Sequence, residues 1–336
     1  MNRGDVHERQ VVKFERPPPL DGGLELKRLQ IGYRTWGRLN RAGNNAVLVC
    51  PALTGSADVD EWWSGLLGPG KALDPEREFI VCADVLGGCG LTSGPPLDGS
   101  GEAFPSVTVR AMVDAQRLLL DHLGVNTLRL VIGGSLGGMQ ALEWAVSHPE
   151  RVDAAAVIAA PARQTAWARA FNHVQRRALE LDDSLDLARM VAMISYRHWD
   201  NLNPRFDASD PEDPTGGWLD HHGRALTERF DRNAYLRLAE AMDNHDIGPG
   251  RGDTVSALRA TEVPTLLVGI TTDLLYPPAE LETIAAEMPD AELATLDAPH
   301  GHDAFLIKQD ALNRLVTDFR CRRKLPYRLS CCQGVR

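Results

Sequence analysis

Cysteine is scarce and scattered in this chain. Its six cysteines in 336 residues are Cys50, Cys82, Cys89, Cys321, Cys331 and Cys332. They show no metal-ligand spacing, so neither a disulfide framework nor a metal site is expected; free thiols in a reducing cytoplasm are. Long apolar runs are missing too. None approaches the length of a membrane span, and Met1-Asn2-Arg3-Gly4-Asp5 lacks the apolar core of a signal peptide, so no membrane partner is expected. Basic charge is in deficit. A formal net charge of −10 provides no broad positive field for phosphates, which argues against nucleic acid as a partner. Internal repeats are absent, and no Gly-rich cradle for a nucleotide phosphate stands out.

What is present is an alternation of buried strands and helices. Val11-Val12-Lys13-Phe14 and Leu24 to Tyr33 read as a strand meander, with Pro17-Pro18-Pro19 and Asp21-Gly22-Gly23 as turns. Continuous apolar runs at Ala46–Cys50, Phe79–Ala83, Leu128–Ile132, Val152–Ala160, Val263–Ile270 and Ala291–Leu296 read as strands covered on both faces. Helical spacing intervenes at Val107–Leu123 and Gln140–Ser147. The expected fold is α/β: a mostly parallel sheet with helices on both faces.

Residues 161–261 break that rhythm. Helices are expected at Thr165–Leu181, Ser184–Tyr196 and Arg232–Met242, joined by a polar Pro/Gly-rich loop over 199–222. This segment reads as a helical lid inserted into a core formed by 1–160 and 262–320, over the sheet edge where such folds bind ligands. The Asp-rich stretch from Asp207 to Pro214 lacks the glycine and terminal glutamate of a calcium loop and reads as solvated. The basic run from Arg320, and with it the tail 321–336, reads as frayed.

The chemistry is concentrated at Gly133-Gly134-Ser135-Leu136-Gly137. A strand before it and a helix after it supply the context of a G-x-S-x-G nucleophile elbow, in which Ser135 sits on a sharp turn with its hydroxyl exposed. Side chains at 133 or 137 would collide with the neighbouring strand or helix. A serine nucleophile needs a base, and the base needs an orienting carboxylate. In the order serine, acid, histidine that α/β-hydrolases use, Asp273 follows a buried strand, and His300 and His302 follow the last one. His302 is preferred as base because Gly301 permits a tight approach. The oxyanion hole is expected from the backbone N–H groups of Leu136 and of Leu53, in the loop after strand 46–50.

Several motifs together resemble the homoserine O-acetyltransferase family. They are Tyr33-Arg34-Thr35-Trp36-Gly37, Ala52-Leu53-Thr54-Gly55, Gly68-Pro69-Gly70-Lys71-Ala72-Leu73-Asp74, Val85-Leu86-Gly87-Gly88-Cys89, Gly133 to Ala145, Ser195-Tyr196-Arg197, Arg229-Phe230-Asp231 and Gly301-His302-Asp303-Ala304-Phe305-Leu306. The resemblance runs in order from about residue 12 to 320. It implies an α/β-hydrolase-fold acyltransferase of methionine biosynthesis, with Ser135, Asp273 and His302 as triad and Leu53 and Leu136 as oxyanion hole. Arg189, Tyr196 and Asp303 match positions at which the family recognises the amino acid. An arginine fork suits the carboxylate and an aspartate suits the ammonium. Acetyl-CoA is implied as donor substrate, with no bound cofactor or metal, L-homoserine as acceptor, and a cytoplasmic homodimer. The chain departs from the family in having Pro51 where a histidine is common, in a shifted glycine in Cys89-Gly90-Leu91-Thr92-Ser93-Gly94, and in a lid without the usual Asp-Pro-x-Trp-like segment. Serine as acceptor, succinyl-CoA as donor, or water in an esterase or thioesterase therefore stay open, since one methylene is worth only about 1–3 kcal/mol of discrimination.

Overall fold

Three of the apolar runs become strands without a solvent-facing side: β3 (Ala46–Cys50), β6 (Ala155–Ile158) and β7 (Thr265–Ile270). The computed structural model describes residues 8–95, 104–181, 184–206 and 209–323. Its other strands are β1 (Gln10–Glu15), β2 (Arg28–Trp36), β4 (Phe79–Ala83), β5 (Leu128–Gly134) and β8 (Ala291–Leu296). They form one sheet in the order β1-β2-β4-β3-β5-β6-β7-β8. β1 and β2 are antiparallel, and the six strands from β4 to β8 run parallel.

The period-2 geometry of strands splits the apolar residues between two cores. On one face Leu48, Cys50, Val131 and Val157 pack against α1 (Val109–His122) and α2 (Leu136–Ser147). On the other, Val47, Val49, Ile132 and Ile158 pack against Trp63, Phe305 and α9 (Gln309–Arg322). Because the central strands are parallel, their C-terminal ends share one edge, and the loops after β3, β4, β5, β7 and β8 converge there.

Between β6 and β7 run α3 (Ala166–Leu181), α4 (Asp186–Ser195), α5 (Pro214–Thr227), α6 (Arg232–Asp243) and α7 (Thr254–Arg259); α8 (Pro278–Glu287) follows β7. The expected loop over 199–222 is corrected here. Trp199–Leu202 is a short helix, and α5 takes up residues 214–222 of the remainder. Asp213 caps α5 by accepting the Gly216 N–H at 3.1 Å, and Pro214 takes the first helical position. Asp207 and Ala208, part of the Asp-rich stretch, lie outside the described residues.

The frayed tail is corrected as well, as far as it is described. α9 continues to Arg322, and Arg320 is fully buried. Its Nη1 donates to Ala72 O at 2.6 Å and to Glu78 at 3.1 Å, and its Nη2 also pairs with Glu78. The pair ties the last described helix to the residue that precedes β4. Residues from Lys324 onward lie outside the described residues. Removing one partner would strand a charge in the core, so Arg320→Ala should lower unfolding free energy by about 3–5 kcal/mol in urea titration. A Glu78→Leu/Arg320→Met double variant should recover most of that loss. A single variant as stable as the parent would show that the pair carries no such penalty.

Candidate active site

Ser135 begins at its backbone. It joins β5 to α2 with φ 57° and ψ −123°, a conformation that a non-glycine residue holds only when its surroundings enforce it. Its N–H donates to Ile158 O at 2.9 Å and its carbonyl starts α2 through Met139 N at 3.0 Å. A Cβ on Gly133 would lie 2.2 Å from Gly137 O, and one on Gly137 would lie 2.1 Å from Cys50 O. The turn is therefore as tight as the sequence implied. Leu136 opens α2, so its N–H has no acceptor within the helix.

Asp273 and His302 meet at the same edge. Asp273 Oδ2 lies 2.7 Å from His302 Nδ1, while Oδ1 accepts the N–H groups of Leu275 and Tyr276 at 2.8 and 2.9 Å. Both residues are buried. Three rings fix the imidazole: Tyr196 and Tyr276 at 5.5 Å and Phe305 at 5.7 Å between centroids. Phe305 also abuts the elbow, since a Cβ on Gly134 would meet its ring at 2.6 Å. One ring thus touches both the residue before Ser135 and the base. Burial alone would lower the His302 pKa, but the charge and hydrogen bond of Asp273, with the charge of Asp303, raise it above 6.5. Nε2 is buried with no hydrogen-bond partner among the described residues, and this is the atom that would accept a proton. His300, the competing base, makes no such pair; burial and the nearby cations Lys308 and Arg197 lower its pKa.

The other expected residues gather around this centre. Arg189 sits 5.8 Å from the centroid of the Tyr196 ring, and burial pushes the Tyr196 phenol up to about 12. Asp303 N donates to Tyr196 O at 3.2 Å, but the Asp303 carboxylate is paired with Arg197 at 2.9 Å. Sequence reasoning named Arg197 only as part of a motif and missed that pairing. Gly301, at φ 68°, makes it possible, because a Cβ there would lie 2.7 Å from the Arg197 carbonyl carbon. Leu53 lines a cavity of about 200 Å³ together with Thr54, Gly55, Gly88 and Arg229. Arg229 donates to Thr54 O at 2.9 Å, and burial, then the charge of Arg189, lowers its pKa. Arg229, from the segment between β6 and β7, therefore faces the loop after β3. Among the described residues, no group of His, Cys, Asp and Glu is arranged to hold a metal ion, and no helix is long and apolar enough to cross a membrane.

An eight-stranded sheet with six parallel strands, a strained serine at the β5–α2 turn, and an Asp–His pair beyond β7 and β8 define an α/β-hydrolase fold. Residues 45–309 match the family described as alpha/beta hydrolase fold. A curated homoserine O-acetyltransferase of Trichormus variabilis is 46% identical, covering 95% of this chain and 96% of its own length. The crystal structure of homoserine O-acetyltransferase from Staphylococcus aureus superposes with a TM-score of 0.82 at 28% identity, over 93% of this chain and 94% of that one. Esterase E22 shares the fold, with a TM-score of 0.83 at 24% identity over 93% of this chain and 99% of its own. The chain belongs to the homoserine O-acetyltransferase family.

Proposed function

We propose that the protein transfers an acetyl group from acetyl-CoA to the hydroxyl of L-homoserine through an ester on Ser135, a step of methionine biosynthesis. The observation that carries this reading is the 2.7 Å Asp273–His302 pair, with the unpartnered Nε2 of His302 beside the strained serine turn. His302 takes the Ser135 proton as Oγ attacks the thioester carbonyl. The C–S bond breaks and CoA leaves with that proton. His302 then takes the hydroxyl proton of the acceptor, whose oxygen attacks the ester carbonyl, and Ser135 Oγ leaves with the proton. The Leu53 and Leu136 N–H groups hold the negative oxygen in both halves. Free CoA is released before the acceptor reacts, which gives ping-pong kinetics.

The helices between β6 and β7 act as a lid that limits water, the competing acceptor. Arg189, which has no carboxylate partner among the described residues, suits the acceptor's carboxylate, and Asp303 suits its ammonium. The Arg197 charge on Asp303 leaves that carboxylate a weaker ammonium site than a lone aspartate, and Tyr196 closes the same wall. The test is thiol release from acetyl-CoA and from succinyl-CoA, with homoserine, serine or no acceptor, and mass spectrometry of the product. Acceptor-dependent release with O-acetylhomoserine supports the reading. Release indifferent to acceptor, yielding free acid, means a hydrolase, and a succinyl or seryl product replaces the corresponding substrate.

The protein acts as a cytoplasmic homodimer in this reading. Trp167, Phe171, Val174, Ala178 and Leu181 recur at four- and three-residue steps along α3, the spacing of a helix–helix seam. Trp167, Val174 and Leu181 are 55%, 50% and 80% exposed, and Leu187 and Ile194 extend the apolar surface on α4. A second copy placing the same stripe against it would cover both. A Val174→Asp/Leu181→Asp variant should dissociate the dimer, with Kd raised roughly a hundredfold for about 3 kcal/mol of lost burial. Sedimentation at micromolar protein checks this, and a monomeric parent chain would sink the proposal.

A further inference from the structure

Gln140 lies in the first turns of α2, fully buried beneath the elbow. The steps above make no use of it. A buried amide has two donor hydrogens and an acceptor oxygen to satisfy, and here all are placed. Its Nε2 donates to Pro51 O and to Leu136 O, at 3.1 Å each. Its Oε1 accepts from Gln116 Nε2 at 2.7 Å. The Oε1 of Gln116 in turn accepts the Trp144 indole N–H at 2.7 Å and the Cys50 thiol at 3.9 Å. The Trp144 indole can only donate, so the whole series has one direction. Turning the Gln140 amide over would set its oxygen against two carbonyls and its NH2 against another NH2.

The two carbonyls held by Gln140 belong to the two segments that carry the oxyanion donors. Pro51 begins the loop bearing Leu53, and Leu136 is itself the other donor residue. A second observation shows that these segments touch: a Cβ on Gly137 would lie 2.1 Å from Cys50 O and 3.1 Å from Pro51 O. Pro51, where the family commonly has histidine, adds a fixed φ to this loop and leaves its carbonyl as the group to be anchored.

From this geometry we infer that Gln140 is a positioning residue for acyl transfer, fixing the Leu53 and Leu136 N–H groups at a spacing that one oxyanion can span. The inference rests on the proposed roles of Ser135 and its oxyanion hole. Donors must lie about 2.7–3.1 Å from the developing oxyanion, so a loop released by a few tenths of an ångström loses part of one. Gln140 touches no reacting atom in this role. Its effect belongs to kcat and to tetrahedral adducts, not to ground-state binding.

The test compares Gln140→Met, which keeps length and removes both donors, with the parent enzyme. Gln116→Met serves as a milder second variant that removes only the support of Oε1. For each, kcat, KM for acetyl-CoA, and Ki for phenylboronic acid, which forms a tetrahedral adduct on serine, are measured alongside thermal unfolding. In Gln140→Met, kcat should fall about 10- to 100-fold, short of the ~10²–10³ that loss of a whole donor causes. KM should stay within about twofold, and the boronic acid Ki should rise by the same factor as kcat falls. Gln116→Met should shift kcat and Ki together by a smaller factor. A folded Gln140→Met enzyme with parental kcat, a loss confined to KM, or an unchanged Ki in both variants would overturn the inference. A parent enzyme that neither turns over nor binds the boronic acid would overturn the site reading, and the inference with it, before any variant is made.

Discussion

Ser135→Ala will lower acyl transfer by roughly 10⁴-fold or more, with the fold retained. The loss is this large because Ser135 is the hydroxyl set on the strained turn at the edge where His302 Nε2 has no hydrogen-bond partner among the described residues. Cys50, the cysteine nearest the elbow, is buried against Gln116, and burial raises its thiol pKa well out of the nucleophilic range. The fold survives because the strain at φ 57° belongs to the backbone, and alanine bears it as serine does. Ser135→Gly would relieve part of that strain and should be about 1 kcal/mol more stable, though equally inactive. His302→Ala should cost about as much as Ser135→Ala, and the double variant little more, since the groups act as one unit. Residual turnover would come from the oxyanion donors and substrate binding. The checks are single-turnover CoA release and circular dichroism. Near-normal turnover in a folded Ser135→Ala protein would refute the serine ester.

The parts of this site that were legible in the sequence obey local rules. The elbow carries its own strand, turn and helix, and Asp273 and His302 each follow an apolar strand in an order that parallel topology dictates. The period-2 split of β3 into Leu48/Cys50 and Val47/Val49 faces could not be seen, because a strand buried on both sides shows no alternation. α5 was misread for a different reason. Gly216, Gly217, His221 and His222 lower its helix propensity, and only Trp218, Gly223 and Leu226 are buried. The helix is held by packing, with Gly223 set against Asp186 of α4. Asp213-Pro214 was the local signal that could have revealed its start.

Arg320 was misread because a run of basic residues normally marks a solvated segment, whereas its partner Glu78 is 242 positions away. Asp303 was assigned to a substrate ammonium with no sign that Arg197 would claim it at 2.9 Å. Gln140 falls in the same class. Its role depends on Pro51, 89 positions earlier, and on Gln116, and nothing in the helix sequence points to either. Buried polar pairing is long-range, and it is the part of a site that composition and spacing do not encode.

Asp273→Asn will reduce kcat by about 10⁴-fold while leaving the imidazole in place. The argument follows from hydrogen-bond direction. Asp273 Oδ1 accepts two backbone N–H groups, from Leu275 and Tyr276. An asparagine must set its oxygen there, because its NH2 would oppose two donors. The NH2 is then turned toward His302 Nδ1, 2.7 Å away from the atom it replaces. Nδ1 becomes an acceptor, the ring proton moves to Nε2, and the base can no longer take the Ser135 proton. The pH profile supplies a second readout. In the parent enzyme the charges of Asp273 and Asp303 outweigh burial and hold the His302 pKa above 6.5. The base is neutral only above that value, so kcat/KM should fall as pH drops through it. A folded-state pKa that is raised also means that protonated His302 stabilises the fold below 6.5, and that this contribution is lost as pH rises through the folded value. In Asp273→Asn the acid limb of the residual activity should move to lower pH, and the stability gained on acidification should shrink. Parental kcat, or an acid limb that does not move, would show that Asp273 neither orients nor charges the base.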